Sequence, residues 1–113
     1  MKPRIDPFPL NPMCLKEFEV PLQGGFYLAV EIESFAGQIT RFVVRLMKMA
    51  EPDVNIARYD TAHNMPHRDM LGRKNGLLRK DWLAGMDLKE ALQFAINDLK
   101  MNYERYDQIF ESN

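Results

Sequence analysis

With 113 residues, 46% of them hydrophobic and 27% charged, the chain has the size and balance of one globular domain rather than of a disordered or membrane protein. Its longest apolar stretch, Phe26 to Val30, is far too short to cross a bilayer, and the Met1–Pro7 segment lacks the apolar core of a secretory signal. A cytoplasmic protein with no membrane partner is expected, and a net charge of −1 argues against a generic polyanion binder.

Pro3, Pro7, Pro9 and Pro12 forbid helix over residues 1–13 and predict an extended N-terminal arm, followed by a single domain over 14–113. Cys14 has no partner for an internal disulfide and, with no histidine near it in sequence, is expected to be a small buried hydrophobe. Lys16 to Val20 alternates as a short strand that Pro21 and the Gln23-Gly24-Gly25 turn end.

From Phe26 the alternation lengthens. Phe26, Leu28, Val30 and Ile32 share one face of a strand, and Phe42, Val44 and Leu46 share one face of the next, over Gln38 to Lys48. A three-residue loop, Phe35-Ala36-Gly37, would set Val30 opposite Phe42, Leu28 opposite Val44 and Glu31 opposite Arg41, the charge pair contributing about 0.2–1 kcal/mol. Glu51-Pro52-Asp53 reads as a turn and Val54 to Thr61 as another strand. His67 to Leu71 and Leu77 to Trp82 flank the Gly72 to Gly76 turn as a basic hairpin. Leu88, Leu92, Ala95, Leu99, Tyr103, Tyr106 and Phe110 then recur at helical spacing, with Asp87 and Glu90 forming a capping box. The expected fold class is α+β: an antiparallel sheet of about four to six strands with one long C-terminal amphipathic helix on one face.

Both histidines fall within Tyr59-Asp60-Thr61-Ala62-His63-Asn64-Met65-Pro66-His67-Arg68-Asp69. The motif lies in the one basic stretch of the chain: residues 58–86 hold six basic and three acidic residues, against six and seven in 1–57 and three and six in 87–113. Two imidazoles that converge on one substrate, with Arg68 as phosphate clamp, would suit RNA cleavage by transfer to the 2′-hydroxyl, which needs no cofactor and no metal. Asp60 or Asp69 would hold an imidazole tautomer in that scheme. Arg58, Arg73, Lys74, Arg79 and Lys80 are the candidate nucleic-acid contacts. A metal site built from His63, His67, Asp60 and Asp69 is a second chemical reading, but Pro66 breaks the helix on which an i, i+4 histidine pair would be suggestive. In the third reading the motif is structural, and its polar side chains satisfy backbone groups around a turn.

The pattern Tyr59-Asp60-Thr61-Ala62-His63 followed by Pro66-His67-Arg68-Asp69 resembles a family of short, uncharacterised prokaryotic proteins, over residues from about 25 to 110. More remotely, the order of strand, Tyr-Asp, His, Pro-His and helix is similar to the TumE-like toxins of toxin–antitoxin systems. That likeness implies action on RNA through Tyr59, Asp60, His63 and His67, and a small antitoxin-like partner, although Arg68 and Asp69 stand where those toxins usually carry further histidines. The competing expectation is a non-enzymatic interaction module, in which the acidic helix, the arm and a bare sheet edge supply the contacts and a homodimer is one outcome.

Overall fold

The computed structural model describes residues 13–62 and 65–113, so the expected arm up to Pro12 and the side chain of His63 lie outside the described residues. Six strands follow in order: β1 (Met13–Pro21), β2 (Phe26–Phe35), β3 (Gln38–Lys48), β4 (Val54–Ala62), β5 (Met65–Gly72) and β6 (Gly76–Trp82). Each pairs antiparallel with its neighbour in sequence, and the helix α1 (Leu88–Ser112) lies across β2 to β5 on one face. The protein is therefore α+β, a six-stranded antiparallel sheet with one long C-terminal helix.

The core forms where the expected faces meet the helix. Leu28, Phe42, Val44, Leu46 and Tyr59 on the sheet are fully buried against Ala91, Ala95 and Leu99 of α1. Each large side chain so buried contributes about 1.5–3 kcal/mol relative to an exposed one.

The β2–β3 register differs by two residues from the expected one. Leu28 pairs with Leu46, Val30 with Val44 and Glu33 with Arg41. Ala36 (φ 51°) and Gly37 (φ 82°) make a two-residue turn with both central residues left-handed, and a bulge at Glu33/Ser34 absorbs Thr40, whose Oγ1 donates to the Glu33 carbonyl at 3.2 Å. A slip of two keeps every side chain on its face, so the core survives the change of partner. The Glu31–Arg41 ion pair also survives, made diagonally at 3.2 Å. A second bulge, at Leu46/Met47, leaves Ile56 as the extra residue, so Ile56 and Ala57 are both buried.

Cys14 is exposed, not buried. It sits on the edge strand β1, which α1 does not reach, so among the described residues no layer covers either face there.

Both helix ends are held. The Asp87 carboxylate accepts from the Glu90 amide at 2.8 Å and the Glu90 carboxylate from the Asp87 amide at 3.2 Å, completing the capping box. At the other end, the β5–β6 turn supplies the donors: the Arg73 amide bonds the Phe110 carbonyl at 2.9 Å, and the Lys74 and Asn75 amides bond that of Asn113 at 3.2 and 2.9 Å. These bonds satisfy carbonyls that a helix C-terminus leaves without partners. Arg73 grips both Glu111 oxygens at 2.8 Å, and together with Lys48 it holds the Glu111 carboxyl down at about 2.

This docking requires a glycine at position 72, because a Cβ there would lie 2.8 Å from the Asn113 carbonyl oxygen and 2.9 Å from its Cβ. Gly72→Ala should therefore cost about 1–3 kcal/mol in chemical denaturation. A melting curve unchanged from the native one would refute the tight seat.

Candidate functional site

Side chains of successive strand residues point to opposite faces of a sheet, and this alternation divides the motif. β4 and β5 pair Tyr59 with Arg68, Asp60 with His67 and Arg58 with Asp69. Tyr59 and Arg68 face the helix, whereas Arg58, Asp60, His67 and Asp69 occupy the opposite, helix-free face.

On the helix side the organising group is the Asp98 carboxylate. It accepts from the Tyr59 hydroxyl at 2.6 Å, from the Tyr106 hydroxyl in a very short bond, and from Asn102 Nδ2 at 2.8 Å. Arg68 lies 3.8 Å away through Nη1, which also donates to the Tyr106 hydroxyl at 3.0 Å. The rest of its fork, Nε and Nη2, is spent on Asp81 at 3.1 and 2.7 Å, and Arg79 Nε closes on the same carboxylate at 3.0 Å. Burial and the Asp98 bond both raise the Tyr59 and Tyr106 phenols above their ordinary range, so each stays protonated and acts as a donor.

Asn102 Nδ2 also donates to the Asp98 backbone carbonyl at 3.1 Å, and the Asn102 backbone leaves helical geometry (φ −124°, ψ 18°). Beside this distortion, α1, β5 and β6 line a half-open polar cavity of about 310 Å³.

On the helix-free side Asp69, only 1% exposed, plays the corresponding part. Arg58 donates to its Oδ2 through Nε at 3.1 Å and Nη2 at 2.6 Å, and Lys80 Nζ lies 3.1 Å from Oδ1. Burial pushes this carboxyl up, but Arg58, Lys80 and the adjacent His67 outweigh it, and the net displacement is downward. His67, 2% exposed, packs its ring against Trp82 with centroids 5.0 Å apart, and its Nε2 lies 3.6 Å from Asp69 Oδ2. Among the described residues its Nδ1 has no hydrogen-bond partner. Trp82 is itself 52% exposed, with Lys80 Nζ 5.6 Å from its ring centre.

The geometry thus brings Asp60 opposite His67, and Tyr59 beside Arg68, but it puts the sheet between His67 and Arg68. Of the basic candidates, Arg58, Arg73, Arg79 and Lys80 each pair with a carboxylate, and Lys74 lies in the exposed β5–β6 turn. Among the described residues no three of His, Cys, Asp and Glu converge in a way that would hold a metal ion, and no helix is long and apolar enough to cross a membrane.

Sequence reasoning missed Asp98, Asn102, Tyr106 and Asp81 as partners of the motif. A signal for the first two was available: Asp98 and Asn102 fall in the series Ala91, Ala95, Asp98, Asn102, Tyr106, Ile109, polar groups at the spacing of a buried helical stripe.

Asp69→Asn should destabilise the protein by about 3 kcal/mol, since it leaves Arg58 and Lys80 facing each other without their counter-ion. The sign of the pH effect follows from the direction of the shift. A carboxyl lowered by folding contributes stability above its ordinary value of 3.8, and this is lost as pH falls through the lower folded value. The stability gap between native protein and Asp69→Asn should therefore narrow below pH 3.8. A gap that stays constant down to the acid limit of denaturation would show that the charge contributes nothing.

No curated protein and no solved structure matches the chain. The family of the domain of unknown function DUF7718 matches residues 13–113, which include all six strands and the helix. The chain therefore belongs to the DUF7718 family, whose function is unknown.

Proposed function

We propose that this protein is a non-enzymatic interaction module that binds an extended, basic segment of another polypeptide along the outer edge of β1. The carrying observation is the state of that strand: eight of its nine residues are exposed, and its outer backbone groups meet no other strand among the described residues. Such an edge is a template for strand addition.

The two faces of the edge favour different chemistry. On the helix-free side Glu17 stands directly opposite Glu31 and Leu15 opposite Glu33, with Glu19 next along the strand. Arg41 already pairs with Glu31 and Glu33, so Glu17 and Glu19 are the carboxylates that a cation on an added strand would meet. On the other side Phe18, 42% exposed, and Val20 extend the apolar core outward. A partner strand that alternates lysine or arginine with aliphatic residues matches both. A second copy matches less well, because full-length antiparallel pairing of β1 about a two-fold axis sets Glu17 against Glu17 at its centre.

A fluorescent nine-residue peptide alternating lysine and valine should raise its anisotropy saturably on titration with the protein. Glu17→Lys combined with Glu19→Lys should weaken binding by about tenfold or more. Equal binding of a peptide of the same composition without the alternation would sink the reading, as would a stable homodimer through β1 in sedimentation.

A second reading, engagement of single-stranded RNA by the basic third, is favoured by Trp82, whose exposed ring beside Lys80 has the makings of a stacking platform. In that reading Arg58, Arg73, Lys74, Arg79 and Lys80 approach phosphates, and a toxin-type cleavage would draw on His63 and His67. Trp82 is the sole tryptophan, so its emission reports stacking directly. Salt-dependent quenching by an RNA oligonucleotide, lost in Lys80→Gln, is the expected result if the reading holds; unchanged emission at low salt dismisses it.

A further inference from the structure

The cavity between α1, β5 and β6 carries chemistry that the strand-pairing reading does not use. Its wall holds three guanidiniums, Arg68, Arg79 and Arg105, against two carboxylates, Asp98 in the wall and Asp81 behind Arg68 and Arg79. The carboxylates are already supplied with donors. Asp98 receives Tyr59, Tyr106 and Asn102, and Asp81 receives Arg68 and Arg79. Arg68 has spent all three nitrogens on Asp81 and Tyr106. What remains is positive: Arg79 commits only Nε, and Arg105 meets no carboxylate among the described residues. Two guanidiniums with uncommitted nitrogens therefore line the same pocket, and its three arginines against two aspartates leave an excess of one positive charge. Met70, the cross-strand partner of Arg79, and Ile109, one helical turn from Arg105, add apolar surface to the lining.

We propose that this cavity binds a small phosphate monoester, its oxyanion held by Arg79 and Arg105 and its carbon body against Met70 and Ile109. A volume of about 310 Å³ suits a ligand of that size and excludes a large cofactor. Two planar forks match a tetrahedral dianion in charge and geometry, whereas a carboxylate needs only one. The helical distortion at Asn102 falls in the wall of this cavity, where a regular helix would carry its backbone straight past. The spent donors around Asp98 and Asp81 hold the walls in place before a ligand arrives, which lowers the ordering cost of binding.

The test is calorimetric titration of the full chain with phenyl phosphate, with benzoate at matched ionic strength and with a single-stranded RNA oligonucleotide lacking terminal phosphates. Phenyl phosphate should bind saturably with a Kd of about 1 mM or below, and benzoate should bind much more weakly. Arg105→Gln, which breaks no internal ion pair, should weaken phenyl phosphate by about tenfold or more while circular dichroism stays native. Arg79→Gln should do the same, and Arg73→Gln, on the far turn, should leave binding unchanged. No saturable heat with phenyl phosphate up to about 10 mM, or equal affinity in Arg105→Gln, overturns the proposal. Binding of the oligonucleotide alone, with the same dependence on Arg105, would assign the arginines to a nucleic-acid backbone and overturn it as well. Peptide binding at β1 is measured separately and is indifferent to either result.

Discussion

One helix cannot cover six strands. With strands about 4.8 Å apart, a six-stranded sheet is about 24 Å wide, while an α-helix with its side chains measures about 10–12 Å. α1 therefore seals the middle of one face, over β2 to β5, and leaves both edge strands outside its footprint. Much of what is distinctive follows from that mismatch. Among the described residues β1 is uncovered and exposes Cys14 and Phe18, β6 exposes Leu77 and Trp82, and the flank of the helix leaves a polar pocket beside Arg68.

A sheet covered on one side must also solve two different problems at the same residues. Beneath the helix, polar groups are removed from water and need complete partners, which Asp98 arranges by collecting two phenols and an amide. On the other face no helix among the described residues excludes water, yet Asp69 and His67 are buried all the same, beside Arg58, Lys80 and the ring of Trp82. The YDTAH and PHRD segments contribute to both arrangements because they run along β4 and β5, where successive side chains alternate between the two faces. Acid–base chemistry through His67 and charge stabilisation through Arg68 would require both on one side of a substrate. The strand geometry instead makes each a member of a different network.

Charge follows the same logic. The surplus of basic residues in the 58–86 stretch and the surplus of acidic residues in 87–113 are complementary halves of the helix–sheet contact: Arg73 meets Glu111, and Arg68 meets Asp98. Lys48, from β3, joins the same arrangement through Asp107 and Glu111. The net charge of the stretch, read alone, suggests a patch for an external polyanion; read with its partners, most of it is internal. Arg105 and the outer nitrogens of Arg79 are the remainder on the helix side.

The sequence by itself determined much of the local structure: the faces of β2 and β3, a left-handed glycine at Gly37 although the turn there is two residues long and not three, the turn before Gly76, the capping box at Asp87 and Glu90, and the stripe of α1. Each depends on residues within a few positions of one another, where period, turn chemistry and capping act directly. Only the tertiary structure decided the β2–β3 register, because a two-residue turn and a one-residue bulge together shift the pairing by two and leave the core side chains on their face. Only the tertiary structure joined Tyr59 to Asp98, Arg58 to Asp69, and the β5–β6 turn to the end of α1. Those pairings join residues that are 11 to 39 positions apart in the cases of Arg58 with Asp69 and Tyr59 with Asp98. They exist because strand order and helix placement bring the groups to one side of the sheet, which no local pattern encodes.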